Sequence, residues 1–187
     1  PTVSQAFATV KVNNVAVASG TASASIPLNV GSNTLTTVVT AQDGTTSKTY
    51  TTTVTRLSAL ESWRQQYFGI TTNTGNAADS FDFDKDGLPN LIEWACNLNP
   101  TTASPSPAGA VRNGANLEFT YTRSVAALNA GAVFTVEWSD TLANDWQSTG
   151  VSETILSDDG TVQQVKATIP AGVGSRRFVH LKVTAPP

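Results

Sequence analysis

The stretch NTLTTVVTAQDGTTSKTYTTTVTR, residues 33–56, decides the fold class of this chain. Its two halves alternate side chains with a period of two, which is the repeat of a β-strand. The faces that this period defines carry Leu35, Thr37, Val39 and Ala41 in the first half and Tyr50, Thr52 and Val54 in the second. Asp43 and Gly44 lie between the halves and favour a turn. The stretch therefore predicts two antiparallel strands.

The same pattern recurs on both sides of a middle segment. Near the N-terminus, the run ATVKVNNVAV surrounds Asn13 and Asn14, a pair that can take positive φ and is typical of a hairpin turn. After residue 116, strand-like runs occur in LEFTYTR, FTVEWSD, TVQQVKATI and RRFVHLKVT. We predict a mostly β fold with two antiparallel, Ig-like β-sandwich modules, at residues 1–56 and 116–187.

Composition limits the classes of partner. The chain has 187 residues, 40% of them apolar, and a formal net charge of −3. We expect no binding to nucleic acid, because that requires a basic footprint larger than Arg176 and Arg177. We also expect no membrane insertion, because no apolar run approaches the roughly 20 residues of a membrane span. The single cysteine, Cys96, is compatible with a cytosolic or an exported protein, whereas few charges with abundant Thr and Ser favour an exported protein that is secreted or held at a cell surface.

The segment between the modules changes to the period of a helix. The runs LSALESWRQQYFG and PNLIEWACN carry apolar stripes formed by Leu60, Trp63, Tyr67 and Phe68, and by Leu91, Ile92, Ala95 and Cys96. Gly69 and Asn97 are suited to end the two helices. We therefore predict a helix-loop-helix connector at 57–100. The Pro-, Ser- and Thr-rich residues that follow predict a linker at 101–115.

The loop of this connector contains DFDKDGLPNLIE, residues 82–93, which matches the calcium-loop pattern D-x-[DN]-x-[DN]-G-x5-E without a substitution. Calcium takes six to eight oxygen ligands, and alternating carboxylates can surround it. Magnesium fits less well because it requires a tight octahedron and gives up water reluctantly. The alternative is a solvated acidic turn, since Asp and Gly are common in turns.

The predicted calcium ligands are the side chains of Asp82, Asp84, Asp86 and Glu93, the carbonyl of Leu88, and Asn90, either directly or through water. Gly87 would permit the sharp turn of the loop. Asp79 lies outside the pattern and is predicted to be either a solvated residue or a further ligand.

Two resemblances bear on the fold. Residues 1–56, with the steps VGSNTLTTVVTAQDG and Y-x-x-x-V-T-R, resemble the second half of the cadherin-like β-sandwich domain of large exported bacterial proteins. This implies that the first strands of such a domain lie outside these residues or are supplied by another chain or segment. Residues 116–187, with V-E-W-S-D-x-L and R-F-V-x-L-K-V, resemble the β-sandwich that ends those proteins.

The connector resembles the single EF-hand-like, dockerin-like calcium segment of the same proteins. The matching positions are Trp63, Tyr67, Phe68, residues 82–87, Asn90, Glu93 and Pro100. Two positions depart from the pattern, Asn97, where glycine is usual, and Pro89. A dockerin carries two calcium repeats and this chain has one, so the resemblance implies a structural ion and not docking to a cohesin.

We predict a non-catalytic, calcium-stabilised structural or adhesive C-terminal region of a larger protein. His180 is predicted to lie on a strand surface and Cys96 to be a small buried side chain, so no catalytic residues are assigned. Neighbouring domains of the larger chain are possible partners. Two alternatives remain: a carbohydrate-binding module that uses Trp94 or Trp146 to bind a glycan, and a self-complementing filament subunit completed by strand exchange.

Overall fold

The computed structural model describes residues 1–170, 172 and 176–186. Of the predicted C-terminal module 116–187, residues 171, 173–175 and 187 therefore lie outside the described residues. The chain divides into two compact units, Pro1–Ser58 and Ala59–Pro187. The described secondary structure is mostly β, and all its paired strands are antiparallel. The predicted fold class is confirmed at this level.

The first unit contains one four-stranded sheet. Its strands are β1 (Thr9–Val12), β2 (Val15–Val17), β3 (Gly31–Thr40) and β4 (Ser47–Arg56), in the spatial order β2-β1-β3-β4. Asn13 and Asn14 join β1 to β2 with φ of 45° and 67°, the left-handed values that a tight hairpin turn requires. The longest pair, β3 and the edge strand β4, keeps a regular register over ten residues of each strand.

One face of this sheet is covered only in part. Val10 and Val12 of β1 are buried, but Tyr50 of β4 remains 50% exposed. Tyr50 lies opposite Thr37, which in turn lies opposite Val12, so all three share this face. The described residues of the first unit thus supply one sheet, whereas a sandwich requires two.

The described residues of the second unit form three helices and two sheets. Its helices are α1 (Ala59–Phe68), α2 (Asn90–Cys96) and α3 (Val125–Asn129), with a 3-10 turn at Gly75–Ala77. Its strands are β5 (Ala108–Asn113), β6 (Asn116–Ser124), β7 (Val133–Ser139), β8 (Ser152–Asp158), β9 (Val162–Pro170) and β10 (Phe178–Thr184). Four of them form a sheet in the order β5-β6-β9-β8, and β10 pairs with β7.

The two sheets of this unit share one apolar core. Phe119, Tyr121, Val165 and Ile169 of the larger sheet pack with Val136 of β7. Partly buried residues of β10 complete the cluster, so the sheets cover each other as in a sandwich. Alternation along β6 and β9 explains this arrangement, since every second side chain points to the common core.

A second apolar cluster joins the helices to this sandwich. Leu60 of α1 and Trp94 of α2 pack with Ala127 and Ala132, and Phe134 of β7 lies against them. The segment predicted as a separate connector therefore belongs to the same compact unit as the C-terminal sheets. The reason is that Leu60 of α1 and Trp94 and Ala95 of α2 are buried in this shared cluster, against which Trp63 and Leu91 pack with partial burial.

The predicted linker at 101–115 requires a correction. Strand β5 lies inside it and pairs with β6 from Ala108–Tyr121 to Asn113–Asn116. This strand is an exposed edge, with Val111 68% exposed, so its backbone hydrogen bonds and not its side chains define it. No described helix has both the length and the apolar character needed to cross a membrane.

Candidate metal centre

The acidic loop owes its shape to hydrogen bonds between its own aspartates and its backbone. Asp82 accepts hydrogen bonds from the amides of Lys85 and Gly87, at 2.8 and 2.9 Å. Asp86 accepts one from Leu88 N at 2.8 Å. Lys85 and Gly87 have φ of 65° and 93°, which turns the chain back on itself at this point. The aspartates are therefore held on the inside of a tight turn.

This turn brings three carboxylates together. Asp82, Asp84 and Asp86 each offer an oxygen, and these oxygens lie within 4.8 Å of one another. Such a spacing is unfavourable for three negative charges unless a cation or protons compensate it. An acidic turn in water can tolerate it, so the three residues alone do not separate the two predicted interpretations.

The environment of Glu93 favours one of these two interpretations, a cation site or a solvated acidic turn. This side chain, in the first turn of α2, is fully buried, and neither of its carboxylate oxygens has a hydrogen-bond partner in the described structure. Burial, and after it the negative charges of Asp84, Asp86 and Asp82, together raise the pKa of Glu93 to about 7. A solvated turn does not account for a buried carboxylate directed at this cluster, because unpaired buried charges are costly.

Asn90 is held in one orientation. Its side-chain nitrogen donates to the carbonyls of Asn76 and Ala78, both at 2.8 Å, and the residue is 1% exposed. Because both acceptors require the NH2 group, the amide oxygen must point away from them. That oxygen, like Oδ2 of Asp84, is buried without a partner among the described residues. Oxygen donors of this kind are what a calcium ion requires.

Three of the six predicted ligands, Asp82, Asp84 and Asp86, lie together, and their charges act on a fourth, Glu93. The loop places the three aspartates around its turn, with Leu88 partly buried directly after it, while α2 supplies Asn90 and Glu93. The buried oxygens that lack partners belong to Asp84, Asn90 and Glu93, all of them predicted ligands. The residues present therefore fit a hard cation that takes oxygen ligands.

Asp79 has a different role from the two predicted for it. Its carboxylate lies 2.6 Å from the guanidinium of Arg64 and also accepts a hydrogen bond from Asn73 at 2.9 Å. It is neither a freely solvated residue nor one of the clustered carboxylates. Arg64 was not identified as a functional residue from the sequence. The available signal was its position, because a residue four positions after Leu60 lies on the apolar stripe of α1, where a charged side chain is unusual.

Ser104 is a second contact that the motif does not indicate. Its amide donates to Oδ2 of Asp86 at 2.7 Å. This bond joins the acidic loop to the segment that leads into β5. No local pattern marks it, because the two residues are 18 positions apart.

The predicted sugar platform requires a correction at Trp94. This residue is 6% exposed and belongs to the core between the helices and the sheets, so its ring cannot stack on a glycan. Trp146 is partly exposed and stacks on His180 with ring centroids 3.9 Å apart. His180 also lies 3.1 Å from Glu137 on the strand surface. Cys96 is buried, and burial raises the pKa of its thiol to about 12.

The raised pKa of Glu93 predicts how stability depends on pH without calcium. The unfolded carboxyl ionises near 4.5 and the folded one near 7, so the folded state holds the extra proton between these values. Stability should therefore fall by about 3 kcal/mol as pH rises through this interval. Urea denaturation in EGTA at about pH 5 and about pH 8 measures this, because the resolved pKa shifts of the other carboxyls are downward and act at lower pH. An equal midpoint at both pH values would contradict it.

Comparison with known proteins gives a match for the first unit. Residues 1–57 match the family model described as a cadherin-like beta sandwich domain. The predicted resemblance is confirmed for this part of the chain. The match covers 57 of 187 residues and does not extend to the loop or the C-terminal sheets. No curated protein and no solved structure matched the chain in the other two comparisons.

The matched segment does not contain the acidic loop. Asp43 is its only acidic residue, and that carboxylate accepts hydrogen bonds from Thr45 and Thr46 in the β3–β4 turn. The family match supports a structural or adhesive role, as expected for a cadherin-like domain. Calcium binding at residues 82–93 has to be judged on the geometry of the second unit.

Proposed function

We propose that this chain is a non-catalytic, calcium-stabilised structural or adhesive region of a secreted or cell-surface protein. In this proposal the ion is a permanent part of the second unit and not a signal. Asp82, Asp84, Asp86 and Glu93 supply carboxylate oxygens, Leu88 its carbonyl, and Asn90 its amide oxygen, directly or through water.

The observation that carries the proposal is the burial of Glu93. A fully buried carboxylate without hydrogen-bond partners, next to three aspartates, destabilises the folded protein unless a cation is present. Calcium removes this cost and gains ligands from both the loop and α2. Because α2 also packs its Trp94 into the core shared with the sheets, the ion would stabilise the whole second unit.

Magnesium is a poorer occupant on physical grounds. It requires near-ideal octahedral geometry and keeps several of its waters. Four carboxylates, an amide and a carbonyl offer more oxygens than such an ion accepts, whereas calcium takes six to eight. Competition between the two cations in the same titration therefore tests the assignment.

Calorimetric titration of chelator-treated protein with CaCl2 tests the proposal directly. We expect one ion to bind per chain, with little competition from a millimolar concentration of magnesium. Thermal melts should give a higher Tm in millimolar calcium than in EGTA. A Tm that is the same in both conditions would refute a stabilising ion.

One alternative function has an observation in its favour. Strand β4 is a ten-residue edge without a bulge, and the sheet face that contains Tyr50 is half open, so the first unit could accept a strand from another segment or chain. A self-complementing subunit is the second candidate on this basis. Light scattering of the isolated chain separates the two, since a stable monomer over a wide concentration range argues against strand exchange.

A further inference from the structure

We infer that the Arg64–Asp79 ion pair closes the loop 82–93 independently of any ion and thereby sets its affinity for calcium. This inference rests on the proposed function, because it concerns the same site. Neither residue belongs to the calcium motif, and the carboxylate of Asp79 is engaged by Arg64. Both would be positioning residues and not ligands.

The first link is between α1 and the segment before the loop. Arg64 has a side chain that is 8% exposed, and its Nη2 lies 2.6 Å from Oδ1 of Asp79. Asp79 is fixed further by Asn73, which donates to its carboxylate at 2.9 Å and accepts from its amide at 2.7 Å. A buried guanidinium needs a counter-charge, so this pair holds residue 79 at a defined distance from α1.

The second link joins the segment before the loop to the start of α2. Leu91 N donates to the carbonyl of Asp79 at 3.1 Å, and Asn90 N donates to that of Phe81 at 2.8 Å. The side-chain amide of Asn90 adds its two hydrogen bonds to Asn76 and Ala78. These bonds bring the chain just before Asp82 next to the chain just before Glu93.

The consequence is preorganisation of the two ends of the loop. Without these bonds, the first and last ligands would have to be brought together when the ion binds, at the entropic cost of closing a loop. With them, that cost is met during folding, and calcium binds to ligands already in place. Groups that hold metal ligands in position typically change metal affinity by about 10- to 100-fold when they are removed.

The test is Asp79→Asn, which keeps the size of the side chain but removes its charge. We expect calorimetry to give a Kd for calcium about tenfold higher than that of the wild type. The rise in Tm that calcium produces should shrink as well. If the pair were merely structural, the variant would lower the Tm in EGTA and in calcium equally and leave the Kd unchanged, and that result would overturn the inference.

A matched control is available in the same unit. Asp140 pairs with Arg177 at 2.9 Å, with side-chain exposures of 27% and 9%, against 23% and 8% for Asp79 and Arg64. Asp140→Asn therefore breaks an ion pair of similar burial that lies among the strands. We expect it to lower the Tm in EGTA while the Kd for calcium stays at the wild-type value. A higher Kd in this variant too would mean that any loss of stability weakens binding, and would overturn the inference.

A milder variant covers the case in which Asp79→Asn does not fold. Arg64→Lys keeps the positive charge but loses the planar fork of donors, so the anchor is weakened and not removed. Its Kd should lie between those of the wild type and Asp79→Asn, and a wild-type Kd would count against the inference. Wild-type protein that binds no calcium would instead refute the proposed function, so the two failures are distinguishable.

Discussion

Glu93→Gln is expected to abolish most of the stabilisation that calcium gives and, in EGTA, to make the protein more stable. Calcium at about 1,000 times its Kd should add about 4 kcal/mol to the free energy of unfolding of the wild type. Glutamine offers one neutral oxygen in place of two charged ones, so this gain should be largely lost. The variant should therefore be less stable than the wild type in calcium and more stable than the wild type in EGTA.

The gain in EGTA has a separate cause. Above about pH 7 the wild type carries a buried charge beside three aspartates, and the raised pKa of Glu93 corresponds to a cost of about 3 kcal/mol. Glutamine has the same size and removes that charge, so this cost disappears in the variant. Urea denaturation followed by tryptophan fluorescence, at about pH 8 with EGTA or with calcium, measures both effects.

The control for this prediction is Glu137→Gln. Glu137 is only partly buried, and its carboxylate is paired with Lys182 and His180 on the β7–β10 sheet. We expect a small loss of stability that is the same with and without calcium. If Glu93→Gln retained the full calcium effect, Glu93 would not be a ligand and the arrangement of the site would have to be revised.

Trp94→Ala is expected to destabilise the second unit by about 3–5 kcal/mol, the usual cost of removing a buried aromatic side chain. Trp94 is 6% exposed and packs with Leu60, Ala127 and Ala132. Its loss would leave a cavity where α1, α2 and α3 meet the sheets. Denaturant unfolding in saturating calcium gives the value, because the ion then stabilises wild type and variant alike.

Trp146→Ala provides the comparison. Trp146 is partly exposed and contributes a stacking contact with His180, so its removal should cost about 1 kcal/mol. The carbohydrate-binding alternative now depends on this residue, since Trp94 is in the core. A Trp94→Ala variant that kept full stability would contradict the packing described here.

The exposed strands β5 and β8 were not predicted from the sequence, whereas β4, which is also exposed, could be predicted from the alternation of Tyr50, Thr52 and Val54. The period of two in β6 and β9 reflects burial of every second residue, so the pattern and the structure have the same cause. Strand β8 is exposed along its whole length and contains a bulge between Ile155 and Ser157, so its side chains carry no period. Helix α3 is only five residues long and depends on a cap from Ser124.

The proposed calcium ligands could be named from the sequence because the motif is local. Each ligand lies within one loop and the first turn of one helix, at spacings that the coordination geometry imposes. The groups that support them are not local, since Arg64 meets Asp79 across 15 positions and Ser104 meets Asp86 across 18. Such pairs depend on the packing of α1 and on the path of the chain after α2, which no short pattern encodes.

The hydrogen bond from Ser104 to Asp86 has a mechanical consequence. A pulling force transmitted along the chain can pass directly between these two residues and bypass residues 87–103. Those seventeen residues include α2 and carry no load while the bond is intact. Once it breaks, they could extend the chain by about 60 Å, at roughly 3.5 Å per residue. An ion bound to Asp86 would hold this residue in place, so residues 87–103 would extend under tension only after the ion had been lost.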